Sequence, residues 1–388
     1  HNQLRAIKGR VLGVVPKADP AIVGCLAPTV KALGHSLRPN PAVCLEEALE
    51  SFPKRRKKRY KGALETFLST GLTNKDAIIS SFVKMEKLEI IRKDGDPRMI
   101  QTRGNVFHLV FSQMSKPVEH SLMEMLDPVT CLPVVAKGRN LDERASLLQR
   151  LWGLKGVPVA LSLDLSRWDM HVQPALMLQV LNLYKMHSSD PLIKWCMEAL
   201  LDNKCWTNKR ISYKVKGGVM SGDMTTALGN CIAVIAIVLT FRALVSSVVS
   251  GEDRTQLRTL RTERSITAPG IAFLEALAHY PVQHLPQDWI VLLDDGDDHV
   301  VMVEQQHAKM AAELLPLWWT ALGHSLKVEG QVTSLSDVEF CQHKPFIGHS
   351  RVTMVPNPCK VIPKTCLVTG KYMEDPSPYL RTVYTARA

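Results

Sequence analysis

The sequence predicts an α+β fold, with helices and antiparallel hairpins spread over two to three domains. Three observations carry that expectation. Residues 289–303 read as a strand, an acidic turn and a returning strand. Residues 161–164 alternate as a short strand, and Pro174 then stands where a helix running to about Met186 would begin. A long apolar stretch from about Thr225 to Val245 has the length of a helix and no polar face, as a buried helix would.

The chain of 388 residues is 46% hydrophobic and 22% charged, which supplies ample core and rules out disorder, collagen and coiled coil. Forty-eight Lys and Arg against 37 Asp and Glu leave a formal charge of +11, which favours a polyanionic partner such as nucleic acid or an anionic membrane face. The nine cysteines are scattered and form no CxxC pair, so neither a disulfide framework nor a zinc ribbon is expected, and a reducing compartment is. The start at His1, without an initiator Met or an apolar leader, reads as a cut inside a longer product. The best membrane candidate, 227–249, is interrupted by Asn230 and Arg242. Its longest apolar run, 231–239, is far short of the roughly 20 residues a span needs, so no transmembrane segment is expected.

Residues 1–50 are rich in Pro, Gly and Ala and show little periodicity, which reads as extended chain and short turns laid over another domain. KRRKKRYK at 54–61 leads into helical spacing and predicts one basic helix face, with Arg55, Arg56 and Lys58 the candidates for RNA contact. A solvated surface and a nuclear-targeting run are the other readings of the same charges. Residues 82–87 and 100–111 read as two strands around a basic loop with a Gly-Asp-Pro turn at 95–97. A second helix is expected over 192–201 and a hairpin over 206–215. The polar stretch 246–287, basic in its middle, reads as an insertion.

Asp294, Asp295, Asp297 and Asp298 fall within five residues, and their mutual repulsion is a cost that bound divalent cations would offset. Hard oxygen ligands of this kind suit Mg²⁺ or Mn²⁺. A turn that only joins two strands needs one Asp and one Gly, not the other three. A second acidic element, Asp164-Leu165-Ser166-Arg167-Trp168-Asp169, places Asp164 at the end of its strand. If that strand neighbours the 289–303 hairpin, Asp164 and Asp297 face each other and clamp two cations for in-line phosphoryl transfer. Asp169 reads equally as a helix N-cap. The third element, 217–230, brings Gly217, Gly218 and Gly222 close to a helix start, where backbone can approach a ligand. Thr226 and Asn230 share one helical face and, with Ser221, could read a ribose 2′-OH; Asn230 could instead be a buried structural hydrogen bonder.

In this order the three elements resemble positive-strand viral RNA-dependent RNA polymerases, most similar to the tombusvirus-like group. DLSRWD at 164–169 resembles that family's motif A, SGDMTTALGN at 221–230 its motif B, and GDD at 296–298 its motif C. The resemblance runs from about Ser80 to about Pro345. Lys84, Glu86, Lys87, Arg92, Lys93, Asp96, Pro97, Arg98, Ile100 and Arg103 resemble motif F, whose cations hold the triphosphate. Lys93, Arg98 and Arg103 are the candidates, with a solvated basic loop as the alternative. Residues 308–322 followed by 326–329 resemble motif D, with Lys327 as the proton donor to pyrophosphate and His324 as its rival; a surface Lys at a strand edge is the other reading of Lys327. Residues 338–342 resemble motif E, with Cys341 and Gln342 beneath the growing strand. A zinc site drawn from Cys341, His343, His349 and Cys359 fits no standard spacing.

The resemblance implies a right hand: fingers over 1–160, a palm over 161–345 holding a fingers segment at 190–222 and the extra insertion at 246–288, and the start of a thumb over 346–388. It implies RNA synthesis from NTPs with two Mg²⁺ ions, for which Mn²⁺ would substitute, bound by Asp164 and Asp297 with Asp298 in support. Asp169, Ser221, Gly222, Thr226 and Asn230 would then form the ribose pocket. A reverse transcriptase would carry a Tyr before its paired Asp; here Asp295-Gly296 precedes the pair, which favours ribonucleotides. Template and nascent RNA and NTPs are the implied partners. Other viral replication proteins and host membranes would be reached through regions outside this chain, at membrane-associated replication complexes in the host cytoplasm. Trp168 stands where related motifs often carry Phe, and the interval from Asn230 to Asp297 is long for the group. An RNA-binding polymerase relic without catalysis and a two-metal nuclease or phosphatase are the rival classes.

Overall fold

The computed structural model describes the chain except residues 38–41, 86–94, 209, 253–254, 256–258, 261, 264–265, 350 and 366–388. Helices and strands alternate irregularly along it, the mixed α+β organisation expected from the sequence.

Where extended chain was expected, the first 50 residues instead form short helices: α1 (Asn2–Ala6), α2 (Pro20–Gly24), α3 (Ala27–Ser36) and α4 (Leu45–Glu50). Three of the four have only five or six residues, too few turns to display a period, and Pro20 and Pro28 stand in first turns, Pro20 opening α2. Asp19 caps α2, accepting from the Ala21 and Ile22 N–H groups at 2.9 and 3.1 Å, and its other oxygen accepts from the Thr267 hydroxyl at 2.9 Å. The basic run begins α5 (Lys54–Thr70), as expected.

Strands β1 (Ile79–Val83) and β2 (Met99–Thr102) pair antiparallel, but the second expected strand stops there. Residues 106–111 lie instead in α6 (Asn105–Met123). Every residue from Val106 to Ser112 is buried, so the helix has no polar face there and its period is invisible in the sequence. After α7 (Leu141–Trp152) come β3 (Pro158–Leu165), the single turn α8 (Trp168–His171), α9 (Pro174–Lys185) and α10 (Pro191–Ala199). The hairpin of β4 (Asp202–Thr207) and β5 (Ser212–Lys216) joins the first two strands in a sheet ordered β2-β1-β4-β5.

The apolar stretch is α11 (Thr225–Val249). It is long and apolar enough to cross a membrane, but most of it is buried inside the protein and it forms the axis of the main core. Its one cation, Arg242, is buried in a two-pronged ion pair with Asp127 at 2.6 and 3.1 Å. Against this helix lies a second sheet, ordered β6-β7-β3-β8, with β6 (Ile290–Asp295), β7 (Asp298–Glu304) and β8 (Leu326–Val332) all antiparallel to their neighbours. The hairpin and the 161–164 strand are thus adjacent, the arrangement on which the acidic pairing depended. A third sheet, β9 (His343–Ile347) with β10 (Val352–Pro356), packs on α7.

The segment read as a polar insertion is not polar throughout. Its helix Ala268–Ala278 buries Phe273, Leu274 and Leu277 completely, and the Phe273 ring lies 5.1 Å from that of Trp318. Truncating Phe273→Ala is expected to lower stability by about 3–5 kcal/mol in urea unfolding, as for an aromatic removed from a core; a solvated insertion would register less than about 0.5 kcal/mol.

Candidate active site

Strand β3 delivers Asp164 to one end of the second sheet, and the β6–β7 hairpin turns at that same end. Leu161 pairs with Val301, so Asp164, three residues on, and Asp298, three residues back, stand at one level. Only Gly296 and Asp297 lie between the paired Asp295 and Asp298. Gly296 takes φ 91°, a value that suits glycine at the first position of a tight hairpin turn. On its other side β3 pairs Asp164 with Lys327 of β8.

The four aspartates of the turn have four environments. Asp294 is fully buried, and burial pushes its carboxyl well above the usual range; one oxygen accepts the Gly296 N–H at 3.1 Å. Asp295 lies between Lys137 at 3.1 Å and Arg144 at 2.9 Å, and accepts from the Cys341 thiol at 3.4 Å. Asp297 and Asp298 remain exposed at the tip. Asp298 is raised by burial and then by the charges of Asp297 and Asp295. The repulsion expected among the four is thus met in part by the fold itself: burial disfavours the charge on Asp294, and Lys137 with Arg144 pairs that on Asp295.

Asp169 does not cap a helix. It sits inside α8, behind Arg167, which takes a left-handed φ of 49° at the N-cap. Burial first, then the Asp297 charge, pushes the Asp169 carboxyl up to about 7, with Arg98 opposing. Asp169 and Asp297 open onto one cavity of about 630 Å³, which Arg98, Ser221, Thr226 and Asn230 also line.

The glycine loop is fastened to β2. Ser221 donates to the Met99 carbonyl at 3.1 Å and accepts from the Gln101 N–H at 3.2 Å, and the Gly222 N–H donates to the Gln101 carbonyl at 2.8 Å. A Cβ on Gly222 would stand 2.7 Å from that carbonyl oxygen, which fixes glycine there. Ser221 thus spends its hydroxyl on the strand that Arg98 immediately precedes. Thr226 donates to the Met220 carbonyl at 2.6 Å, and Asn230, 5% exposed, lies beside Gly296 at the cavity wall.

Several expected residues lie elsewhere. Arg103 was expected on the triphosphate, but its side chain is completely buried. It ion-pairs with Asp223, donates to Asn203 and reaches the Ala199 carbonyl at 2.9 Å, so it locks the site's framework instead of facing the cavity. Lys93 lies outside the described residues. Lys327 has a side chain 74% exposed on the edge strand, 3.7 Å from Glu329. His324, its rival, is 1% exposed and stacked on Trp168 at 4.6 Å; burial pushes it down to about 3, which removes it as a proton donor. On α5, Arg56 lines the cavity while Arg55 and Lys58 are exposed. Cys341 and Gln342 form a tight turn with φ 51° and 62°, closed by paired backbone bonds between Phe340 and His343. Among the described residues no three His, Cys, Asp or Glu side chains gather into a group that could hold a metal ion.

Sequence reasoning passed over Lys137, Arg144, Lys116 and Glu119. The last two form a pair at 2.6 Å on the cavity wall. No local pattern marks Lys137 or Arg144, whose role comes from a fold that returns them to the hairpin.

A carboxylate turn beside a cation-lined cavity, built on an antiparallel sheet, defines a protein suited to polyphosphate chemistry. Its family follows from comparison: residues 4–247 and 275–385 match the viral RNA-dependent RNA polymerase family, and the chain belongs to it. It is 30% identical over 332 residues to the RNA-directed RNA polymerase of Groundnut rosette virus (strain MC1), covering 84% of this chain and 34% of that protein. The polymerase of Oat chlorotic stunt virus is 29% identical, with coverage of 82% and 38%, and that of Tomato bushy stunt virus 26% identical, with 86% and 36%. The chain thus spans between a third and two fifths of the length of these relatives. Residues 248–274 fall outside the family match.

The raised Asp169 has a pH signature. Between about pH 4, where the unfolded side chain releases its proton, and about pH 7, where the folded one does, the native state holds the extra proton. Without divalent cations, stability is therefore expected to fall as pH rises through that window, by up to about 1.4 kcal/mol per pH unit. Urea unfolding in a chelator at several pH values would check this, and Asp169→Asn should flatten the slope.

Proposed function

We propose that this chain carries the catalytic centre for template-directed RNA synthesis from NTPs, by nucleotidyl transfer assisted by two divalent cations. The observation that carries the reading is one cavity that gathers Asp169 and Asp297, the Arg98 cation, and the Thr226 and Asn230 side chains. Cations suit a polyphosphate, paired carboxylates suit cations, and a hydroxyl with an amide suits a ribose.

The donor set fits Mg²⁺. Three carboxylates, Asp164, Asp297 and Asp298, stand at one end of the sheet, two of them exposed at the hairpin tip. An open set of carboxylates is what Mg²⁺ uses when substrate phosphates complete its shell. Asp164 and Asp297 would hold the ions, with Asp298 in support. Bound there, such ions lower the pKa of a primer 3′-hydroxyl and neutralise the phosphates.

The other roles belong to the chain itself. Arg98 and Lys84 line the cavity and orient a triphosphate. Ser221 holds the strand that Arg98 immediately precedes, and Asn230 with Thr226 faces the sugar. Asp169, beside Asp297, accepts a hydrogen bond from the ribose. Lys327, paired with Asp164 on the neighbouring strand, is the one of the two expected proton donors that stays exposed, and it serves pyrophosphate. Arg56 and the exposed Arg55 and Lys58 form a basic approach for RNA, and Cys341 with Gln342 supports the nascent strand.

In a right-hand reading, β6-β7-β3-β8 with α11 is the palm. Residues 1–160 are fingers, joined by 190–222 because β4 and β5 share a sheet with β1 and β2. Residues 346–388 begin the thumb.

Labelled NTP incorporation on a primed RNA template with Mg²⁺ tests the reading. Asp297→Asn is expected to lower template-dependent extension about 100-fold or more with RNA affinity retained. Shortening of the RNA would indicate a nuclease, and RNA binding without extension by the unmodified chain an inactive relic. Asn230→Ala should raise deoxynucleotide use relative to ribonucleotide use by about tenfold or more, measured as the ratio of kcat/KM values.

A further inference from the structure

The best-connected charged group near the cavity is Lys137. Its ammonium reaches three atoms on two elements: the Asp295 carboxylate at 3.1 Å, the Asp295 carbonyl at 3.5 Å and the Ala227 carbonyl at 3.2 Å. Asp295 immediately precedes the turn glycine. Ala227 lies in the first turn of α11, next to Thr226 and one helical turn before Asn230. A Cβ built on Gly296 would stand 3.9 Å from the Lys137 ammonium and 3.4 Å from Asn230 Cβ, so turn, lysine and helix already meet.

The backbone beneath Lys137 is held independently of its side chain. The Ala136 N–H donates to the Asp294 carbonyl at 2.7 Å and the Asp294 N–H to the Val134 carbonyl at 2.9 Å, so residues 134–136 run as a short extra strand beside β6. Arg139 then donates to the Val135 and Met123 carbonyls, both at 3.1 Å. Asp295 keeps Arg144 at 2.9 Å and the Cys341 thiol at 3.4 Å whatever stands at 137. Hairpin and helix also meet through β6, which packs on α11, and through a side-chain hydrogen bond between Asp294 and Cys231; what the lysine adds is a direct tie from Asp295, the residue before the turn glycine, to the first turn of α11.

We propose that Lys137 is a positioning residue, whose ammonium sets the Gly296-Asp297 turn at a fixed offset from the first turn of α11, and so sets Asp297 against Asn230 and Thr226. The proposal rests on the polymerase reading for its kinetic consequence but not for its structural one. A displacement of the order of 1 Å between reacting groups lowers rate without weakening binding of the remote parts of a substrate. A primary amine that reaches carbonyl and carboxylate together is replaced in part by a guanidinium and not at all by a thioether.

The experiment compares Lys137→Met and Lys137→Arg with the unmodified chain in single-nucleotide incorporation and in hydrogen exchange. Lys137→Met is expected to lower kcat about 10- to 100-fold, with KM for the nucleotide changed less than about threefold and the melting temperature unchanged, and Lys137→Arg to restore most of the loss. In hydrogen exchange, which needs no activity, Lys137→Met should lower protection of peptides covering 294–299 about tenfold while β7 beyond them keeps its own. Unchanged exchange at 294–299 would overturn the proposal, even if the chain proved not to be a polymerase. Loss confined to KM would make Lys137 a substrate contact, and equal loss in both variants with a lowered melting temperature would make it a structural residue; either result also overturns it. Absence of extension by the unmodified chain, with the exchange result as expected, would refute the polymerase reading alone.

Discussion

Four carboxylates in five residues cannot all stay ionised at one hairpin tip unless their surroundings differ, and much of the site is built to make them differ. Burial pushes the Asp294 carboxyl well above its usual range, and one of its oxygens holds the Gly296 N–H. Two cations from the segment before β3 take Asp295. The charge left over is concentrated on Asp297 and Asp298, with Asp169 raised beside them. The same turn thus combines a stable hairpin with negative charge concentrated at its tip.

A second constraint is mechanical. Ser221 and Gly222 bind the glycine loop to β2, and the buried Arg103–Asp223 pair binds the end of that strand to the residue after Gly222. Removing one partner of such a pair would leave an uncompensated buried charge. The strand that Arg98 precedes and the loop that leads into the helix of Asn230 are therefore tied together at three points. This gives Arg103 its value, although it never faces the cavity.

Legibility in the sequence followed the range of the interactions. The acidic hairpin, the strand ending in Asp164, α9 and α11 rest on local alternation, a proline or an apolar run, and all were readable. Residues 106–111 were not, because complete burial erases the polar stripe that reveals a helix, and the first 50 residues were not, because three of their four helices are too short to show a period. Within the site, glycines and aspartates at fixed spacing announced themselves. Arg103 looked like a ligand cation because a sequence shows charge without depth. His324 looked like an acid for the same reason, whereas it is sealed against Trp168. Lys137 and Arg144 carried no signal at all, since their partner lies some 150 residues away along the chain and beside them only in the fold.

The helix Ala268–Ala278 begins in the stretch that falls outside the family match, yet Phe273 packs with Phe241 and Trp318 along the central helix. The border between shared and unshared sequence therefore passes through packed aromatic rings and not along a surface loop. A chimera that exchanged this stretch for a shorter connection would open the floor of the core, and the aromatic side chains on α11 and on the helix bearing Trp318 would need resizing at the same time. What looks modular along the chain is a single interlocked piece in space.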